Sequence, residues 1–124
     1  MDFAAATTAA LDDLLTREGF MAGQGGETEV IYCASHDELS DRFPRLPQAN
    51  AQPRGIGCCI DLVIDLHEPG LQVVLEGEPL PRTLRALHLE DGAQSVDRIG
   101  AMPLVAALDS LIEVLPKLFS ASRP

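Results

Sequence analysis

Three histidines, His36, His67 and His88, are the side chains that titrate nearest neutral pH and so are the candidates for acid–base chemistry. His67 closes a run from Cys58 in which apolar and polar residues alternate, so Asp61, Asp65 and His67 share one face of the strand this pattern predicts. If a later strand carrying His88 lay beside it, the two histidines and a carboxylate could bind a metal or move a proton. Nothing in the spacing requires that, and no metal site is assigned. Cysteine–histidine catalysis through Cys59 and His67 fails on distance, because eight residues of strand span about 26 Å. Cys33, Cys58 and Cys59 have neither the number nor the spacing of a disulfide framework or a zinc site, and they read as buried reduced thiols. In an extended strand Cys58 and Cys59 point to opposite faces, which argues against a redox pair.

The chain has no phosphate-binding glycine loop, HExxH, CxxC, GxSxG or calcium-loop motif. Gly23, Gly25 and Gly26 follow a helical pattern and precede a strand, the reverse of the order a nucleotide site needs. No cofactor is assigned, and the signals lean away from an enzyme.

The element that positions most of these residues is a hairpin over Cys58 to Gly77. Its apolar sets are Cys58, Ile60, Leu62, Ile64 and Leu66 before the turn Glu68, Pro69 and Gly70, and Leu71, Val73 and Leu75 after it. Keeping both sets on one side of the sheet pairs Leu66 with Leu71, Ile64 with Val73 and Leu62 with Leu75, since a one-residue slip would expose one set. The same register places Asp61 opposite Glu76. Like charges across a strand pair repel by a few tenths of a kcal/mol up to about 1 kcal/mol. Either both carboxylates stand in screening water, or a basic group such as Arg82, Arg85 or a partner's side chain lies over them. Two carboxylates alone are thin coordination for a divalent cation.

Upstream, Phe3, Thr7, Ala10, Leu11, Leu14 and Leu15 form a helical stripe over Asp2 to Glu18, flanked by an Asp13–Arg17 pair, with Phe20 and Met21 turning back onto the core. Glu29 to Ala34 reads as a strand. Ser35 with Glu38 reads as a capping box opening a short helix from His36 to Phe43. Pro44 to Gly57 has no periodicity and reads as an irregular loop, 44–57, whose charges, Arg45 and Arg54, form a basic island in an acidic half. Downstream, Leu84 to Glu90 reads as a third strand of the sheet, with a short helix as the other reading, and Ala93 to Gly100 as a strand or a loop. From Leu104 to Leu115 the helical pattern is the strongest in the chain; Pro116 should kink or end it. Its apolar face covers about half the circumference, more than one sheet requires. Either it is clamped between the sheet and the first helix, or part of it, with Val105 and Ile112, makes a homodimer or partner interface.

A chain of 124 residues with 46% hydrophobic and 23% charged side chains suits a single domain, residues 1–124. The expected fold is α+β: a small, mainly antiparallel sheet of three to five strands packed on one face by the N- and C-terminal helices, the other face polar and acidic. No run approaches a membrane span and the N-terminus lacks the basic residues of a signal peptide, so a cytoplasmic location is expected. The net charge is −10, with nine acids against two arginines in residues 1–43 and five acids against none in 58–78. Such a field disfavours nucleic acid and anionic membrane and favours a basic protein partner.

In size, acidity and lack of catalytic signature the chain resembles bacterial immunity proteins and secretion chaperones, classes defined by partner rather than by motif. The expected function is therefore non-catalytic binding of a basic protein surface, through Asp61, Asp65 and Glu76 on the sheet, Arg45 and Arg54 on the loop, or Val105 and Ile112 on the last helix. The competing expectation is a small enzyme or ligand-binding domain with a pocket between the sheet and loop 44–57 and His67 or His88 as acid–base group.

Overall fold

The alternation in residues 58–77 folds as it reads. The computed structural model describes residues 2–51 and 57–124; in it β3 (Cys59–His67) and β4 (Gly70–Leu75) are antiparallel, with Leu66 opposite Leu71, Ile64 opposite Val73 and Leu62 opposite Leu75. That register puts Ile60, Leu62, Ile64, Leu71, Val73 and Leu75 together in the core. β2 (Glu29–Ser35) pairs with the other side of β3 and buries Val30, Tyr32 and Ala34 on the same face. Two-residue strands, β1 (Met21–Ala22) and β5 (Glu78–Pro79), complete a five-stranded antiparallel sheet in chain order.

Helices α1 (Phe3–Arg17) and α6 (Leu104–Ser122) bring their apolar stripes to the buried face. Phe3, Leu11 and Leu15 of α1 and Leu108, Leu111, Val114, Leu115, Leu118 and Phe119 of α6 join one continuous core, giving an α+β fold. Asp2 caps α1 by accepting the amide N–H of Ala4. Tyr32, fully buried, ties the sheet to α1 by donating its hydroxyl to Asp12 at 3.0 Å. Phe119 packs on Phe20 and Phe43 with ring centroids 6.0 and 5.2 Å apart.

Several expectations are corrected. Leu84 to Glu90 is not a strand: α4 (Leu80–Ala86) is a helix with Pro81 in its first turn, where a missing N–H costs nothing, and it buries Leu80 and Leu84 one turn apart. Residues 93–100 belong to α5 (Glu90–Asp97), with Glu90 and Asp91 in its positive first turn, and to a single 3-10 turn, Ile99–Ala101. His88, at φ 62, makes the break between α4 and α5.

The stretch read as irregular contains α3 (Pro47–Asn50), anchored by fully buried Leu46 and nearly buried Ala49; residues 52–56 lie outside those described. α2 (His36–Arg42) starts at Ser35 without the side-chain bond of a capping box, and Glu38 instead pairs with Arg42 at 3.6 Å. Arg17 donates to the carbonyl of Asp13, not to its carboxylate. α6 runs through Pro116 instead of stopping there: Pro116 and Ile112 are both exposed, so the carbonyl that loses its donor faces water. Phe20 is buried as expected, but Met21 is 70% exposed.

Candidate functional site

The face of the sheet turned away from the helices is built by the residues that alternate with the core. The register lays them out in rows. Glu29, Asp65 and Gln72 are neighbours across β2, β3 and β4; Ile31, Val63, Val74 and Pro79 form the next row; Met21, Cys33 and Asp61 form the third, with Glu76 just past the end of β4. The face is thus not uniformly polar, as composition suggested. A half-buried aliphatic row runs between two carboxylate-bearing rows. Among the described residues no strand carries a lysine or arginine.

The expected contact between Asp61 and Glu76 exists, but no cation covers it among the described residues. Glu76 accepts the amide N–H of Asp61 through Oε2 at 3.0 Å and donates its own amide to the Asp61 carbonyl at 2.8 Å. Glu76 (φ 48) and Gly77 (φ 81) form the left-handed pair that turns the chain into β5. Arg82, one cation considered for this place, pairs with Glu78 at 2.7 Å. Arg85, the other, bridges Glu90 and Asp97, which hold its pKa up.

Beside this face, where β3 begins and β4 ends, lies a groove of about 600 Å³. One wall comes from α3, another from α4, and Ile60 and Cys59 stand at the head of β3. The α3 wall is tied down by hydrogen bonds. His36 Nε2 lies 2.9 Å from the Ala51 carbonyl, Ser40 donates to the Ala49 carbonyl at 2.6 Å, and Asn50 donates to that of Pro44. Gln48 ties this wall to the opposite one, its amide nitrogen donating to Thr83 Oγ1 at 2.6 Å and to the Leu75 carbonyl at 3.4 Å. Gln48 is only 9% exposed, and its Oε1 is buried with no hydrogen-bond partner.

The other expected site residues separate. Asp65 shares the open face with Asp61. Arg45 is exposed beside the C-terminal end of α6, its amide bonded to the Ser122 carbonyl. Val105 and Ile112, 59% and 40% exposed, stand on the outer side of α6, so its apolar face is not wholly internal. Arg54 lies outside the described residues. His67 is exposed at the end of β3 and His88 sits in the α4–α5 break; with the third strand gone, the arrangement that would have joined them goes too, and neither lines the groove.

Among the described residues no group of three or more histidines, cysteines and acids is placed to hold a metal. The cysteines form no disulfide; Cys59 is exposed rather than buried, and burial raises the Cys33 thiol pKa, with Cys59 and Asp61 adding to the effect. That is the opposite of an activated thiolate. Reading the sequence alone misses Gln48, Thr83 and His36 as groove residues. The available signal was Pro47 with Leu46 and Ala49 three apart, a one-turn helix.

No protein-family model, curated protein or solved structure matches this chain. Among the described residues no helix is long and apolar enough to cross a membrane.

Proposed function

We propose that the chain is a non-catalytic binding module whose open sheet face receives a basic protein surface, in the manner of immunity-type or chaperone-like proteins. One observation carries this reading: the row Ile31, Val63 and Val74 lies between rows bearing Glu29 and Asp65 on one side and Asp61 and Glu76 on the other, with no lysine or arginine on any strand among the described residues. An aliphatic centre contributes area, and the carboxylates around it steer and select a cationic partner.

The test is an NMR titration with a lysine-rich amphipathic peptide and a charge-reversed control containing glutamate. The lysine peptide should perturb Ile31, Val63 and Val74, and it should bind less tightly as salt rises. It should also bind several-fold less tightly to an Asp61→Asn, Asp65→Asn double variant, with most of the loss in association rate. Equal binding of the two peptides, or affinity unchanged in the double variant, removes the proposal.

A further inference from the structure

The groove beside the sheet has a chemistry of its own, and we infer that it is a binding site for a small organic cation: an amidinium, guanidinium or ammonium group carried on an apolar body. This inference stands on the groove alone and goes beyond the protein-binding face.

Size and walls come first. About 600 Å³ falls within the range of pockets that enclose small organic ligands, and Ile60, Pro47 and Ala86 give it apolar walls. Its fixed charges do not cancel. Arg82 is taken up by Glu78 at 2.7 Å, while among the described residues Glu76 forms no ion pair and is met by a single backbone N–H. Among the described residues of the lining the fixed charges therefore sum to negative: two carboxylates against one guanidinium.

Gln48 supplies the second, independent observation. Its amide nitrogen must point toward Leu75, because a backbone carbonyl can only accept, and this leaves Oε1 as the buried atom without a partner. Acceptors this deeply buried are normally satisfied, by protein or by ordered water. An acceptor lacking a donor, an unneutralised carboxylate and apolar walls together describe a ligand that brings N–H groups and positive charge on a hydrophobic frame. An anion would meet the wrong charge and no spare donor from Gln48.

Benzamidine, benzoate and benzyl alcohol share a ring and differ in charge, so they make a direct test by NMR on the full chain. Benzamidine should shift the Gln48 side-chain amide and the backbone amides of Ile60 and Ala86 in a saturable way, with benzoate silent and benzyl alcohol at least several-fold weaker. Glu78→Gln, which releases Arg82 into the groove, should weaken benzamidine several-fold. Ala86→Phe, on an exposed wall position, should block it, and the Asp61→Asn, Asp65→Asn variant should leave it unchanged. Benzoate binding as well as benzamidine, no saturable shift with benzamidine, or binding indifferent to Ala86→Phe overturns the inference without touching the proposal for the sheet face.

Discussion

Asp61 and Glu76 exchange two hydrogen bonds: the Glu76 carboxylate takes the Asp61 amide at 3.0 Å, and the Glu76 amide is given to the Asp61 carbonyl at 2.8 Å. Two acids that face each other across a hairpin are thus joined through the backbone, with no cation over them among the described residues. Glu76→Gln keeps an acceptor oxygen and removes the like charge, so its stability in urea should stay within about 0.5 kcal/mol of the parent. Glu76→Ala loses the acceptor while keeping the left-handed backbone, and should cost about 1–2 kcal/mol. Equal midpoints for the two variants would refute this account.

Gln48 and Thr83 form a buried polar pair that leaves one acceptor empty. Replacing either alone strands its partner and should destabilise the fold by about 1–3 kcal/mol. The Gln48→Met, Thr83→Val double variant removes both and should be more stable than the sum of the single effects predicts by about 1 kcal/mol, read from a double-mutant cycle. A cycle that closes with no coupling would mean the pair is not a unit.

Gly70 opens β4 where a Cβ would lie 1.8 Å from the Ile99 carbonyl oxygen and 2.6 Å from that of Met102. Neither atom belongs to a side chain that can swing away. Gly70→Ala should therefore cost about 3 kcal/mol in thermal or chemical unfolding. At Gly26 nothing lies within 4 Å of the added carbon, and Gly26→Ala should be close to neutral.

Tyr32 is the one tyrosine of the chain, so its ionisation can be followed by tyrosinate absorbance. Burial first, then the bond and the charge of Asp12, raise its pKa from 10.0 to about 12. The folded state holds this proton more tightly than the unfolded one. The resulting stability is fully present below pH 10 and is lost as pH rises through about 12. Asp12→Asn should move the absorbance transition of the folded protein downward, and denaturant should return it to the ordinary value. A folded-state transition unchanged by Asp12→Asn would sink the assignment.

On α6, Leu111 is fully buried whereas Ile112 beside it is 40% exposed. Leu111→Ala should cost about 2–5 kcal/mol, and Ile112→Ala less than about 0.5 kcal/mol in the isolated chain. Comparable losses at the two positions would mean that the outer side of α6 is covered in solution.

How far the sequence could be read depended on whether one periodicity admitted one structure. Residues 58–77 alternate over two strands joined by a short turn, and any slip would bury Asp61 and Asp65, so the register was legible to the residue. Leu84, Leu87 and Leu89 satisfy a strand and a helix about equally, and there the deciding facts were Pro81 in a first turn and Leu80 one turn before Leu84. Val105 and Ile112 were legible as surplus on a broad apolar face. The groove was not. Its central residue, Gln48, is polar and locally unremarkable, and its burial comes from Thr83 and Leu75, distant in the chain.

The sheet's outermost strands have a consequence for how this molecule can associate. β1 and β5 are two residues long, and Pro79 has no N–H to offer. Past β1, Gly23 bonds the Ile31 carbonyl, and the open stretch of β4 is closed off where Gly70 meets the Ile99 and Met102 carbonyls. An incoming chain finds no ladder long enough to extend, so runaway strand-by-strand polymerisation is blocked at both flanks. A protein this rich in aliphatic strand residues can then present its face to a visitor while remaining a poor template for fibrils.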